Sequence, residues 1–404
     1  MMERSARATP RVLSIDVLRG LDVLLMLFVN EVAGVRGAPA FLLHTPHDAD
    51  GMTLTDVVFP AFLFIVGMAI PMALGGRLRR EESRAAVWRH VLTRSLGLVV
   101  IGVLMVNAEN AGAGLYSDLW NLLMTVGVVL VWRANREPLP RALGVGLLVL
   151  LAFAYRSADV TGLVQLRPHW WGILGLIGWA YLVAAAAYLL AGERPAVLGG
   201  LVGLLYCLHL ADAAGQVGLL LAVRPVFNVG RDVSSHPAVT LSGTVLGILL
   251  VRQQRDGGAA GGLVWRALGY AVGLATAGLL LHTLHALHPA FRISKQLATP
   301  PWCLLSSAAT CAAWVAVFVL VDRGGSRRWP KAVFAAGENP LVAYLMAPFL
   351  LSLFALSAPL FGGTNVYQAL AGETWIGLLR SALFAWMVVG LCGLMRSRGL
   401  RLQL

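Results

Sequence analysis

Repeated apolar segments, each about as long as a bilayer is thick, constrain this chain more than any other feature. The hydrocarbon core of a membrane needs about 20 apolar residues in a helix. The chain has 404 residues, of which 58% are hydrophobic and 13% charged, and its mean hydropathy is +0.74. Twelve candidate spans can be marked: 13–34, 54–74, 91–106, 115–132, 142–155, 170–190, 196–223, 237–251, 263–287, 302–321, 340–360 and 375–395.

The expected fold is an all-α, polytopic transmembrane helix bundle that forms a single integral membrane domain over residues 1–404. We expect 10–12 spans and favour twelve. Segments 142–155 and 237–251 are short for a perpendicular crossing, and 196–223 is long enough to tilt or break near Asp212. The apolar runs are too long and too little alternating for barrel strands.

The distribution of basic residues predicts the orientation of the chain. The net charge is +12, but the arginines lie in short loops, which is typical of membrane topology and not of a nucleic-acid partner. In the twelve-span arrangement, 23 Lys and Arg residues lie on the side of the amino terminus and seven on the other side. Both termini, with short basic tails at 1–12 and 396–404, are therefore placed in the cytoplasm.

Charged and amide side chains inside the first span require a reason, because burying them at membrane depth is costly. Asp16, Arg19 and Asn30 share one stripe of a helix. An Asp16–Arg19 pair that locks helix packing is the simpler interpretation of the first two residues. Asn30 lies at the outer end of the span, where an amide can orient a substrate or donate to a developing oxyanion.

The loop after the first span contains the residues best suited to acid–base chemistry. His44 and His47 precede Gly51, and Asp56 falls in the first turn of the next helix, where Thr53 or Thr55 could cap it. A neutral imidazole beside a carboxylate is a common general base at physiological pH. The alternative for each histidine is a solvated surface position.

Other polar clusters give weaker signals. His282, His285 and His288 recur at spacings of three, but no carboxylate stands near them in sequence, so no metal site is predicted. The four cysteines show no spacing typical of a zinc site or a disulfide framework. Arg292 and Lys295 are expected on the outer face, where a solvated position is the simpler interpretation.

Several motifs together resemble the heparan-α-glucosaminide N-acetyltransferase family and its bacterial relatives. They are SIDVLRG with LMLFVN, DGMTLTDVVFPAFLFIVGMAIP, WWGILGLIGWAY, ISKQLATPPW and GENPLVAYL. The resemblance implies acetyl transfer from cytosolic acetyl-CoA to a glucosamine amine on the far side of the membrane, which is expected to be a bacterial inner membrane. It also implies a catalytic histidine in the loop before the D-x-V-F-P helix and an asparagine at the end of the preceding helix.

Carried onto this sequence, the resemblance assigns the asparagine to Asn30 and leaves two histidines. The usual H-x-x-W-x-G pattern would place the histidine at Pro46, and the tryptophan is absent, which leaves the sugar specificity open. His44, in LHTP, is favoured over His47. His44 would deprotonate the acceptor, and Asp56 would orient its imidazole.

The resemblance also implies a site for acetyl-CoA, the only co-substrate expected, with no metal. Cytoplasmic basic residues are candidates for its phosphates, although membrane topology alone explains their charge. Expected partners are the bilayer, an amino-sugar or glycan acceptor and a second copy of the chain in a homodimer. The alternative function is a transporter or flippase of an envelope precursor, with Asp22 beside Asp16 and Arg19 on its pathway. The candidate phosphate-binding residues are Arg77, Arg79, Arg80, Arg327, Arg328 and Lys331.

Overall fold

A computed structural model describes residues 12–111, 114–135, 137–157, 163–224, 227–257, 260–326, 328–372 and 374–404. Within these ranges the chain is helical and contains no β-strand, which confirms the predicted all-α class. The α-helices are α1 Leu13–Val32, α2 Leu54–Arg79, α3 Arg84–Asn110, α4 Leu115–Trp132, α5 Pro138–Ala154, α6 Ile173–Ala191, α7 Pro195–Ala213, α8 Gly218–Val223, α9 His236–Asp256, α10 Ala260–His282, α11 Pro300–Phe318, α12 Pro330–Glu338, α13 Pro340–Ser357, α14 Val366–Ala369 and α15 Thr374–Ser397.

Ten helical segments in the described part of the chain are long and apolar enough to cross a membrane. Two more helices, α1 and α5, lie at predicted spans but are not among these ten segments. α1 has 20 residues but carries Asp16, Arg19, Asp22 and Glu31, and α5 has only 17 residues. Ten segments lie within the expected range of 10–12, and the count of twelve stays a prediction that depends on α1 and α5.

The structure corrects several predicted boundaries. Segment 196–223 breaks beside Asp212, one of the two alternatives that its length allowed, because α7 ends at Ala213 and the chain turns at Gly215, whose φ of 65° is accessible to glycine without strain. The span predicted at 237–251 is longer than expected. A π-helical segment, Val229–Ser235, precedes α9, and the two together make a segment of 28 residues. Polar residues at both ends of this segment concealed its length.

A short helix that the sequence did not predict, α12, packs against α1. A Cβ atom added to Gly337 would lie 1.8 Å from the carbonyl oxygen of Asp16, and one added to Gly20 would lie 2.2 Å from that of Val333. The two backbones can approach this closely only because both positions are glycine. This contact covers the part of α1 that carries Asp16 and Arg19 with protein.

The centre of the bundle is the pair formed by α2 and α9, whose backbones are almost in contact. A Cβ atom added to Gly243 would lie 1.9 Å from the carbonyl oxygen of Phe64, and one added to Gly67 would lie 1.8 Å from that of Thr240. Close approach through small residues is the usual way in which membrane helices gain packing contacts. These two helices therefore form a rigid support for the chain segments that meet at their ends.

We expect the substitution Gly243→Ala to destabilise the protein by roughly 1–3 kcal/mol, as overpacking of a tight contact does. The added methyl group would overlap the Phe64 carbonyl group, so the two helices would have to move apart. Thermal unfolding of the purified protein in detergent measures the effect as a lower Tm. Gly269→Ala on α10 is the matched control, because a Cβ atom there meets nothing within 4 Å. Equal Tm values for the two variants would contradict the close packing of α2 on α9.

The contacts of α11 show which helix ends lie together. Near its start, Trp302 donates from Nε1 to the carbonyl oxygen of Asp56 in the first turn of α2, at 3.2 Å. Its ring also contacts that of His236 at the start of α9, with the centroids 6.4 Å apart. Beyond the other end of α11, Asp322 accepts from the backbone N–H of Leu13, where α1 begins, at 3.2 Å. Thus α2, α9 and α11 begin, and α1 ends, at one end of the bundle, called here the site end.

Candidate active site

The loop between α1 and α2 folds back onto the first turn of α2. Thr53, the residue before the helix, donates its hydroxyl to the carbonyl oxygen of Leu43 at 2.7 Å. The backbone N–H of Thr53 donates to Oδ2 of Asp56 at 3.1 Å, as the acidic residue of a capping box does. The start of α2 therefore holds Leu43, the residue before His44, close to the carboxylate of Asp56.

Asp56 is buried, and hydrogen-bond donors surround its carboxylate. Oδ1 lies 2.8 Å from Nδ1 of His44. Oδ2 accepts from the backbone N–H and the hydroxyl of Thr45, at 3.2 and 2.7 Å, as well as from Thr53. A buried carboxylate is tolerated when it is hydrogen-bonded in this way. Because an ionised carboxylate only accepts, Nδ1 of His44 carries a proton, and in the neutral form of the ring Nε2 is the nitrogen with the lone pair.

A lysine from a distant part of the chain lies against the imidazole of His44. Nζ of Lys295 is 3.0 Å from Nδ1 and 3.1 Å from Nε2 of His44, and 3.9 Å from Oδ1 of Asp56. Nearly equal distances to the two ring nitrogens place the ammonium group over the face of the ring and outside its plane. The ammonium group is thus within hydrogen-bond distance of Nε2, the nitrogen that does not contact Asp56.

Burial lowers the pKa of Lys295, and the negative charge of Asp56 opposes this effect. Only 23% of the lysine side chain is exposed, so the interpretation of Lys295 as a solvated charge was wrong. The lysine begins a compact turn, in which the N–H of Ala298 donates to its carbonyl oxygen at 3.0 Å. Ala298 is buried with a φ of 49°, a left-handed conformation that costs a non-glycine residue about 1 kcal/mol or more.

A buried histidine that the sequence analysis did not single out lies behind this group. His236 is 3% exposed and packs edge-on against Phe59, with the ring centroids 5.3 Å apart. Its Nδ1 has no hydrogen-bond partner among the described residues. In the sequence, His236 is visible only as a polar residue at the boundary of a predicted span. A polar residue there usually indicates no more than the start of a helix.

The other two residues predicted to be catalytic stand apart from the pair formed by His44 and Asp56. His47 is 71% exposed, and its Nδ1 lies 3.3 Å from the fully exposed carboxylate of Asp48. Asn30 is exposed near the end of α1. No hydrogen bond in the described part of the chain joins either residue to His44 or Asp56.

The pair predicted to be structural occurs on the first helix. Arg19 donates from one guanidinium nitrogen to Oδ1 of Asp16 at 3.3 Å and to the carbonyl oxygen of Gly337 at 2.9 Å. The arginine thus connects α1 with the end of α12. Both side chains lie towards the end of the bundle opposite the site end, at a distance from His44 along α1.

Several residues proposed to bind phosphate already have acidic partners. Arg77 pairs with Glu82 at 2.9 Å, and Arg79 lies 3.5 Å from Glu193. Both arginines are in the last turn of α2, at the end of the bundle opposite the site end. Arg327 lies outside the described residues. The remaining candidates, all exposed, are Arg80, Arg328 and Lys331.

The transport hypothesis would place Asp22 on a pathway. This residue is 6% exposed, and its Oδ2 has no hydrogen-bond partner in the described part of the chain. Two surface depressions, one beside Arg36 and Trp375 and one beside Tyr367, are not lined by Asp22 or by His44. These observations give transport no specific support.

Comparisons with known proteins agree with the motifs. A family described as a domain of unknown function (DUF5009) matches residues 11–151. The human heparan-alpha-glucosaminide N-acetyltransferase is 33% identical over 104 residues, which is 26% of this chain and 15% of the human protein. The mouse protein of the same name is 34% identical over 97 residues, which is 24% of this chain and 14% of the mouse protein.

These matches confirm the resemblance to the N-acetyltransferase family. They cover about a quarter of the chain, and in that quarter the chain is a relative of the family. The match spans only about 15% of the length of the curated relatives. Sequence similarity therefore indicates a class of reaction. The chemistry must be argued from the residues at the site end.

Proposed function

We propose that this protein is a membrane-embedded acyltransferase that moves acetyl from acetyl-CoA to an amine or hydroxyl group of a saccharide-like acceptor. The observation that carries the proposal is the contact between His44 and the buried carboxylate of Asp56, with 40% of the imidazole exposed. The similarity to two N-acetyltransferases supplies the reaction class. The bundle of apolar helices supplies the membrane location.

In the proposed reaction, His44 acts as the general base. Its Nε2 takes the proton of the acceptor while the acceptor nitrogen or oxygen forms a bond to the acetyl carbonyl carbon. The carbonyl electron pair moves onto oxygen and then returns as the carbon–sulfur bond breaks. Coenzyme A leaves as a thiolate and takes the proton back from His44. Asp56 holds the imidazole in the tautomer in which Nε2 carries no proton, and stabilises the imidazolium.

Two side chains are proposed to stabilise the negative charge that develops on the acetyl oxygen. The ammonium group of Lys295 lies over the His44 ring and brings a positive charge to within 3.1 Å of both ring nitrogens. Asn30, which matches the family motif, is proposed as an amide donor from the end of α1. Donors aimed at a developing oxyanion are often the largest single contribution to catalysis of acyl transfer.

The proposed orientation places the site end outside a bacterial inner membrane and both termini in the cytoplasm. The excess of Lys and Arg in the opposite loops supports this orientation. Acetyl-CoA would then bind from the cytosol, with its phosphates near exposed residues such as Arg80 and Lys331 and its pantetheine arm extended through the bundle. The proposed acceptor is an amino sugar or another glycan. The protein is proposed to act as a homodimer or as a monomer.

The proposal is tested with purified full-length protein in detergent, acetyl-CoA and a panel of amino sugars. We expect acceptor-dependent release of the CoA thiol together with a product that is heavier by one acetyl group. The thiol is measured with a chromogenic reagent and the product by mass spectrometry. A folded protein that releases no thiol and acetylates no member of a broad panel of amines and hydroxyls would contradict it.

The same assay distinguishes two routes of acetyl transfer. If the acetyl group first moves to Nε2 of His44, a burst of about one CoA thiol per protein is expected without acceptor. Direct attack by the acceptor in a ternary complex predicts no burst. Rapid-mixing measurement of the thiol, with His44→Ala as the control, separates the two.

Removing the charge of Lys295 should slow the reaction and change its pH dependence. We expect Lys295→Met to lower kcat about 100-fold, as the loss of one oxyanion donor does, and Lys295→Arg to keep more activity. Because the pKa of Lys295 lies below its ordinary value of 10.5, the ammonium loses its proton as pH rises through this lowered pKa. Wild-type kcat should therefore fall on the alkaline side. The guanidinium of Lys295→Arg stays charged, so this fall should disappear. Identical alkaline profiles for the wild type and Lys295→Arg would exclude the role.

A further inference from the structure

Two histidines at the end of α10 lie beside a carboxylate that the sequence places 232 positions earlier. One nitrogen of His282, one nitrogen of His285 and one carboxylate oxygen of Asp50 all lie within 4.8 Å of one another. The two imidazoles are stacked, with centroids 4.9 Å apart. No carboxylate stands near these histidines in sequence, so no metal site was predicted here, and folding of the loop before α2 supplies the carboxylate.

Hydrogen bonds around this cluster orient its members. Nδ1 of His285 donates to the carbonyl oxygen of His282 at 2.9 Å, which leaves the lone pair on Nε2 of His285. Oδ1 of Asp50 accepts from the backbone N–H of Ile293 at 2.8 Å. Nδ1 of His282 lies 3.3 Å from the carbonyl oxygen of Phe291 and 3.6 Å from Oδ1 of Asp50. Bonds from imidazole to backbone carbonyl groups and from backbone to carboxylate are typical of the surroundings of metal ligands.

We propose that Asp50, His282 and His285 form a zinc-binding site at the site end of the bundle. Two imidazole nitrogens and one carboxylate oxygen suit Zn²⁺, with a water molecule as the fourth ligand. Bonds of about 2.0–2.2 Å would bring tetrahedral ligand atoms to roughly 3.3–3.6 Å from one another. Small rotations of these side chains, of which Asp50 and His282 are each 28% exposed, would close the present spacing.

Zinc at this position would connect two segments that carry the candidate active site. Asp50 lies between His44 and Asp56 in the loop before α2, and the N–H of Gly51 donates to the carbonyl oxygen of Ile293 at 2.9 Å. Lys295 follows two residues after Ile293. A metal bond from Asp50 to the end of α10 would therefore restrain the loop of His44 relative to the segment of Lys295. The site does not depend on acetyl transfer.

The test measures zinc binding by the full-length protein in detergent, after removal of metal with a chelator and without acetyl-CoA. In competition with a chromogenic zinc chelator, the protein should bind one zinc ion tightly per chain. Asp50→Asn, His282→Gln and His285→Gln should each weaken binding at least 10- to 100-fold, since even changes beside a ligand have effects of this size. Asp48→Asn removes an exposed carboxylate from the same loop and is the matched control, with unchanged affinity expected.

Thermal unfolding gives a second measurement. Zinc should raise the Tm of the wild type and of Asp48→Asn, because a ligand that binds only the folded state stabilises it, and at the same zinc concentration should raise the Tm of Asp50→Asn less. Magnesium, which prefers oxygen ligands, should have no effect. The proposal is overturned if the wild type binds no zinc, or if the three ligand variants bind it as the wild type does. Because the readout is binding, loss of the proposed enzyme activity would leave this result unaffected.

Discussion

Replacing His44 by alanine is expected to abolish acetyl transfer while the protein stays folded. The substitution removes the group that accepts the proton of the attacking amine or hydroxyl, and general-base catalysis contributes about 10²–10⁴ to a rate. The imidazole is 40% exposed, so its loss leaves little empty space in the protein. The measurement is kcat for acetylation of the best acceptor, with size-exclusion profile and Tm as evidence of folding.

His47→Ala is the matched control, since it removes a histidine from the same loop. His47 is 71% exposed and lies beside the fully exposed Asp48, so we expect nearly full activity. Full activity of His44→Ala together with loss in His47→Ala would transfer the role to His47. Loss of activity in both variants with normal folding would indicate that the loop as a whole binds the acceptor.

The second large effect is expected for Asp56→Asn. The present carboxylate accepts from Nδ1 of His44, from the N–H and hydroxyl of Thr45 and from the N–H of Thr53. An amide has a single oxygen, so its NH₂ group would face one or more of these donors. The neighbouring histidine would lose the acceptor that fixes its tautomer, and the rate should fall by about 10³–10⁴. Stability should fall by about 1–3 kcal/mol, because buried donors lose their partner.

The two readouts separate catalysis from folding. Asp48→Asn has the same change of charge at a fully exposed position, and neither kcat nor Tm should change. If Asp56→Asn lowered the Tm but kept kcat, Asp56 would be a helix cap alone. If kcat fell while KM for the acceptor stayed constant, the role in orienting His44 would be supported.

Local features of the sequence were sufficient to predict much of the region around α2. The run DGMTLTD indicated a helix start with Asp56 in its first turn, and the structure begins α2 at Leu54 with Thr53 as the preceding residue. The prediction succeeded because helix capping depends on residues three or four positions apart. The span predicted at 340–360 likewise begins where α13 does, at Pro340, and proline is common at the first position of a helix.

Lys295 shows why the rest of the candidate site could not be predicted. It contacts His44 across 251 positions of sequence, and no local pattern distinguishes it from the nearby Arg292. His282 and Asp50 present the same case, since the carboxylate reaches the histidine only after the loop has folded. The length of the segment that includes α9 was underestimated because its buried polar residues look like those of a loop.

The sequence by itself determined that the chain is a bundle of apolar helices, with polar residues concentrated around the loop of His44 and a resemblance to a family of N-acetyltransferases. Hydropathy and capping are properties of neighbouring residues, so the sequence records them directly. Only the tertiary structure decided which side chains meet. It joined His44, and not His47, to Asp56, placed Lys295 over the imidazole and brought Asp50 to two histidines. These contacts depend on the packing of α2, α9, α10 and α11, which is set by close fits such as that of Gly243 against Phe64.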